Sequence, residues 1–150
     1  MKRLTQEWLE KANADWLSAG TVFRSRKAPN YDLTCFLCQQ CAEKSLKACL
    51  QEAGLSIRRT HDLVLLLELL LPVYASLGLL RPAATILKEY AIEFRYPGKH
   101  ADRVRATQAL LHCDLIREAI ARELRVTSPI RTKKLKRKSR SSAKGRKAKK

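Results

Sequence analysis

Glycine and proline are scarce in this 150-residue chain, with five of each. Because turn-rich all-β folds need many such residues, their scarcity disfavours that class, and no alternation of apolar and polar residues indicates a strand. The longest apolar run, residues 63–71, contains Glu68 and is much shorter than the roughly 20 residues that span a bilayer. The N-terminus lacks the apolar segment of a signal peptide, so we expect a cytoplasmic protein without a membrane span.

Acidic residues are absent after Arg125, and that segment contains twelve of the 31 lysines and arginines. It supplies most of the net charge of +17 and has too few apolar residues to form a core. We therefore divide the chain into a folded domain, residues 1–126, and a disordered basic tail, residues 127–150. In water such a tail binds nucleic acid through phosphates without sequence preference, and we expect this of the tail.

Apolar residues recur at helical spacing in five segments of the folded domain. Thr5 and Asp32 are the predicted N-caps of the first two helices. Pro97 disfavours helical backbone in the residue before it, which predicts that the fourth helix ends near Arg95. The predicted helices cover about residues 5–23, 32–53, 63–71, 83–95 and 102–125. The pattern predicts an all-α antiparallel bundle of four to five helices.

Four of the five cysteines lie in the predicted second helix, and an odd number fits reduced thiols. The run Cys35, Cys38 and Cys41 has the C-x2-C-x2-C spacing of half a cluster motif. On one helix, however, these positions diverge progressively around the axis and do not converge on a metal. We predict small core residues, with no metal site and no cofactor.

Arg95 and His100 lie on either side of Pro97-Gly98, a chain-reversal signal. The guanidinium is a rigid fork of donors that suits phosphate oxygens, and a histidine moves protons near neutral pH. Cleavage of RNA by its own 2′-hydroxyl needs a base, an acid and a cation at the phosphate, and no metal. We also expect the N–H groups at the start of the fifth helix to point toward such a phosphate. The alternative is a helix-ending turn with an exposed arginine and histidine.

Four blocks of the chain together resemble the HEPN family of small all-α domains: residues 12–16, 35–48, 60–63 and 94–98. The resemblance implies a helical bundle that forms a homodimer. It also implies a toxin–antitoxin-like pair with a minimal nucleotidyltransferase. Family ribonucleases carry an arginine, four to six residues, then a histidine, and Arg95 and His100 match that spacing as the candidate catalytic residues.

Two positions depart from the toxin members of that family. Tyr96 follows the arginine where toxins usually carry a small polar residue, and Asp102 stands where one branch carries a tyrosine that the partner enzyme modifies. The Arg-Tyr-Pro-Gly form resembles the branch linked to nucleotide binding. The resemblance therefore implies a nucleotide- or RNA-binding component. The alternatives are a metal-independent endoribonuclease and a non-catalytic dimerisation module.

Given this resemblance, the polar face of the second helix is a candidate nucleotide site. Its alternative is a solvated face on which Glu43 and Lys47 pair at i,i+4. His61 likewise has two interpretations, as a capping and packing residue at a helix start or as a phosphate ligand. The complete candidate nucleotide- or phosphate-binding set is Gln40, Lys44, Lys47, His61 and Arg95.

Overall fold

The computed structural model describes residues 1–127, and every regular element within them is helical. The helices are α1 (Arg3–Phe23), α2 (Tyr31–Ala53), α3 (Leu63–Leu70), α4 (Arg81–Lys88) and α5 (Arg103–Thr127), with 3-10 helices at Ala75–Leu80 and Glu89–Ala91. The predicted all-α bundle is thereby confirmed. The predicted basic tail falls almost entirely on residues 128–150, which lie outside the described residues. Within residues 1–127, no helix is long and apolar enough to cross a membrane.

Helix α2 lies at the centre of the bundle and packs against α1, α3, α4 and α5. The small core residues that the sequence predicts in this helix are buried, since Cys35, Cys38 and Cys41 have no exposed surface. The small side chains let neighbouring helices approach closely, which explains why four cysteines occur in one helix. Cys113 of α5 is also buried, and all five thiols are free.

Two predicted helix caps are wrong. Asn30, not Asp32, caps α2, and its side-chain oxygen accepts from the Leu33 N–H at 3.0 Å. Asp32 instead accepts from the backbone of Ala101, 69 residues away. Helix α1 begins two residues before Thr5, whose buried hydroxyl donates to Glu52 at 2.7 Å. In both cases a tertiary contact competes successfully for the side chain that local sequence assigns to the cap.

The fourth helix is shorter than predicted. Regular α-helix ends at Lys88, and the chain tightens into the 3-10 helix Glu89–Ala91 before it reaches Pro97. This tightening keeps Tyr90 in the core, where its ring centroid lies 5.3 Å from that of Phe94. Gly98 then adopts φ 100°, which completes the predicted chain reversal ahead of α5.

Candidate functional site

One face of α2 collects side chains from three distant parts of the chain. Its residues are Asp32, Phe36, Gln40, Glu43 and Lys47, at spacings of four, four, three and four, and we call them the α2 stripe. At 100° per residue these positions stay within a quarter-turn of one another. His100 and Arg95 contact the first two turns of the stripe, His61 contacts its middle, and Trp8 of α1 contacts its end.

His100 is held by the carboxylate at the start of the α2 stripe. Its Nδ1 lies 3.1 Å from Asp32 Oδ2, while Asp32 Oδ1 accepts from the Ala101 N–H at 2.6 Å. Because a carboxylate only accepts hydrogen bonds, this contact favours the proton on Nδ1. The imidazole is 80% exposed, so the arrangement leaves Nε2 to solvent for a ligand or a proton.

Arg95 lies one helical turn farther along the α2 stripe. Its guanidinium carbon lies 5.3 Å from the centroid of the Phe36 ring, and the residue is exposed. Stacking on an aromatic face orients the guanidinium and leaves its N–H donors free. Positions four apart on a helix are about 6 Å apart, so Arg95 and His100 rest on neighbouring turns of one helix face.

A polar cavity of about 290 Å³ lies beside His100. Its cations are Lys99 and Arg105, and its acids are Glu93 and Asp102. Arg105 also faces the buried Tyr90 hydroxyl. Burial raises the pKa of Tyr90, and the contact with Arg105 partly opposes that rise. The hydrogen bond to Tyr90 in turn raises the pKa of Arg105. Arg105 thus has a partner in Tyr90, and Arg105 and Lys99 are both exposed residues.

The start of α5 offers fewer free N–H groups than the sequence led us to expect. The Ala101 N–H donates to Asp32, and the Arg105 N–H donates to Asp102 Oδ1 at 2.7 Å. Carboxylates satisfy both donors. These two N–H groups are therefore not available to a phosphate at this end of the bundle.

The middle of the α2 stripe is a buried ionic cluster around Glu43. Glu43 Oε1 lies 2.7 Å from Lys47 Nζ, and its Oε2 lies 2.9 Å from His61 Nδ1 and 3.2 Å from Gln39 Nε2. Burial raises the pKa of Glu43, but the hydrogen bonds from Lys47, His61 and Gln39 outweigh it and leave that pKa lowered. The predicted i,i+4 pair is present, but the interpretation of a solvated face is wrong, since Glu43 and Lys47 are 5% and 8% exposed.

The other candidate side chains of α2 also have protein partners. Lys44 Nζ lies 2.5 Å from Asp15 Oδ2 of α1, and Gln40 Nε2 donates to Gln39 Oε1 at 2.8 Å. Lys47 lies over the Trp8 ring at 5.8 Å. Both lysines are thus charge-paired, which distinguishes them from Arg95. The phosphate-binding role of Gln40, Lys44, Lys47 and His61 stays a prediction.

Sequence reasoning missed the residues that orient the candidate catalytic pair, Asp32 and Phe36. Their helical spacing from Gln40, Glu43 and Lys47 is visible in the sequence. Because Phe36 is aromatic, however, the five positions do not form a continuous polar stripe that would draw attention to them. Their contacts with Arg95 and His100 join segments about 60 to 70 residues apart. No local signal reveals such contacts.

The model of the HEPN domain family matches residues 5–124. The chain belongs to the HEPN family. Among solved structures, it is similar to TT1696 from Thermus thermophilus, at 27% identity and a TM-score of 0.72, over 82% of this chain and 99% of that one. It is also similar to ST0689, an archaeal HEPN homologue, at 26% identity and a TM-score of 0.63, over 83% and 99%. No curated protein matches the chain. The HEPN domain thus includes both the α2 stripe and the Arg95–His100 turn.

Proposed function

We propose that this HEPN protein binds RNA or a nucleotide through Arg95 and His100 and acts in a toxin–antitoxin-like pair with a minimal nucleotidyltransferase. The binding proposal rests on one observation: Phe36 and Asp32, on neighbouring turns of α2, hold the side chains of Arg95 and His100. Arg95 offers unpaired donors to phosphate oxygens, and no described residue forms an ion pair with it. Exposed Lys99 adds a second cation beside His100.

The nucleotidyltransferase partner and the homodimer rest on the family resemblance. For the homodimer, α5 supplies a candidate contact face. Val104, Leu111 and Leu115 lie on its outer side and are 65%, 62% and 56% exposed. Apolar side chains at this spacing form one stripe along a helix, and such a stripe is a common helix–helix contact. We propose that a second copy of the chain packs against this face of α5.

A metal-independent endoribonuclease is the second candidate, and the His100–Asp32 contact favours it. A histidine whose Nδ1 is held by a carboxylate presents its other nitrogen as a base in a fixed orientation. His100 Nε2 would accept the 2′-hydroxyl proton as the 2′-oxygen bonds to phosphorus and the bond to the 5′-oxygen breaks. The same imidazolium would return that proton to the 5′-oxygen, while Arg95 neutralises the phosphorane. The products are a 2′,3′-cyclic phosphate and a 5′-hydroxyl.

The test incubates the full chain with end-labelled single-stranded RNA in EDTA and measures both binding and cleavage. We expect Arg95→Ala to weaken binding about tenfold, in line with the loss of one charge-assisted contact worth about 1.5 kcal/mol. Arg95→Lys restores part of the binding because it keeps the charge but loses the fork. If the endoribonuclease is correct, His100→Ala abolishes cleavage and weakens binding less than Arg95→Ala does, and Asp32→Asn slows cleavage.

His112→Gln is the matched control, because His112 lies on α5 away from this turn. It should behave as the unchanged protein does. Binding without cleavage at any protein concentration would exclude the endoribonuclease and leave the binding component. If Arg95→Ala and the control bound RNA and nucleotides equally well, the binding site would be wrong, and a purely structural dimerisation module would remain.

A further inference from the structure

A second groove, separate from the Arg95–His100 turn, runs between α1 and α5. Its volume is about 460 Å³, within the range of small-ligand pockets. Both helices pack on α2 but scarcely touch each other along this part of their length. Small side chains keep it open: Ala12 of α1 and Ser45 of α2 are 3% and 2% exposed, and Ala121 of α5 also lines it. Leu9 adds a further apolar surface.

Arg117 forms one wall of the groove in a fixed position. Its guanidinium carbon lies 4.5 Å from the centroid of the Trp16 ring, and Nη1 donates to Asp114 Oδ1 at 2.9 Å. Nη2 donates weakly to Asn13 Oδ1 at 3.4 Å. An arginine held on one side by an aromatic ring and a carboxylate presents its remaining donors in a defined direction. The side chain of Arg117 is thus already ordered before a ligand arrives, so binding costs less side-chain entropy.

Arg122 and Arg125 also line the groove, and both residues are exposed. Arg125 donates through Nε to the Ala121 carbonyl at 3.1 Å, which directs its side chain along α5. Within residues 1–127, neither arginine forms an ion pair. Glu118 is an acidic lining residue, so the three arginines outnumber the acids of the lining. The charge and the apolar floor together match a ligand that has an anionic part and a flat, weakly polar part.

The position of the groove along the chain supports a nucleotide as that ligand. Arg125 is directly followed in the sequence by residues 126–150, which contain twelve lysines and arginines and no acid. A polyanionic strand is attracted to so basic a segment, and the arginines of the groove directly precede this segment in the sequence. The acidic side chains of a peptide such as polyglutamate would satisfy the cations but offer no aromatic face to the floor of Leu9 and Ala12.

We propose that the α1–α5 groove binds a phosphate-bearing nucleotide, either within an RNA strand or free, through Arg117, Arg122 and Arg125. The RNA form of this inference rests on the proposed function, because it assigns a second contact to the same ligand. The free-nucleotide form does not depend on it. The groove would hold the ligand while the Arg95–His100 turn, at the other end of α5, would remain available for binding or chemistry.

The test measures binding of fluorescein-labelled 12-nucleotide RNA by anisotropy and of ATP by calorimetry, using the full chain. Arg122→Glu/Arg125→Glu removes two phosphate contacts, so the slope of log K against log salt should become shallower by about 1.4. At 0.1 M salt this corresponds to a loss of at least about tenfold. Ala121→Leu fills the groove without a change in charge and should also weaken binding.

Arg58→Glu/Arg59→Glu is the matched control with the same change in net charge. These arginines are exposed in the loop before α3, on the Glu43 side of α2, whereas Ser45 points into the groove from the opposite side. Circular dichroism confirms that each variant is folded. We expect the control to lose much less affinity than the groove variants.

The outcomes separate the two ligand forms and the two proposals. Loss of RNA binding in both groove variants supports a strand, and loss of ATP binding alone supports a free nucleotide. Equal losses in the groove and control variants, or competition by polyglutamate as strong as by RNA, would overturn the groove. If Arg95→Ala weakens binding and the groove variants do not, only the groove fails. The reverse result overturns the proposed site at Arg95.

Discussion

Replacement of Glu43 by glutamine tests whether the buried ionic cluster of α2 stabilises the HEPN domain as a paired unit. The side chains of Lys47 and Glu43 are only 10% and 7% exposed, and the ammonium lies 2.7 Å from the carboxylate. Glu43→Gln leaves that ammonium buried without its counter-charge, beside the Trp8 ring. Loss of one partner of a buried pair costs about 3 kcal/mol or more. For a domain of this size the melting temperature should fall by about 10 °C.

The double variant Glu43→Gln/Lys47→Met removes both charges and replaces the buried ammonium with an apolar side chain of similar length. Because a buried pair also carries a desolvation cost, the double variant should recover most of the stability. Guanidinium denaturation followed at 222 nm measures all three proteins. Glu7→Gln is the control. The side chains of Glu7 and its partner Arg3 are 48% and 86% exposed, and so exposed a pair contributes about 0.5 kcal/mol or less.

The pH dependence of the same variant gives an independent check. The pKa of Glu43 is lowered in the folded state, so its contribution is present above the unfolded-state value and is lost as pH falls. The gap in unfolding free energy between the unchanged protein and Glu43→Gln should narrow as the pH falls below about 4.5. A gap below about 1 kcal/mol at pH 7, or one that does not narrow in acid, would refute this account.

Two further predictions concern the chain reversal and the thiols. Gly98→Ala should destabilise the domain by about 1 kcal/mol, because φ is 100° although a Cβ would meet nothing within 4 Å. Gly78→Ala, at an ordinary φ, is its control and should not destabilise; equal effects in denaturation would contradict the argument. Burial raises the pKa of Cys35 and Cys49 to about 12, so neither should react with iodoacetamide at pH 8 before unfolding. Native labelling of either thiol, read by mass spectrometry, would show that α2 opens more readily than its packing implies.

Local sequence was sufficient for the presence and order of the five α-helices and for much of the core. The cysteines of α2 recur at helical spacing and are all buried, and Gly54 ends that helix in the left-handed region at φ 71°. Pro97-Gly98 marks a real chain reversal. These features depend on interactions within a few residues, and the nearby sequence therefore determines them.

Contacts between distant segments decided the features that the sequence analysis assigned wrongly. Asp32 has the right chemistry for a helix cap, yet Asn30 takes that role and Asp32 binds His100 and Ala101. Thr5 is likewise drawn to Glu52, 47 residues away. A short polar side chain satisfies either a local or a remote donor equally well, so its sequence position alone does not select between them.

The polar residues of the α2 stripe show most clearly which features follow from local sequence and which depend on tertiary contacts. The sequence by itself determined that Gln40, Glu43 and Lys47 share one helix face, because 3.6 residues complete a turn. Only the tertiary structure decided that α1 and the loop before α3 cover the Glu43 end, while Asp32 and Phe36 receive His100 and Arg95. Helical periodicity is set by the backbone, whereas burial of a given face depends on which distant segment packs there.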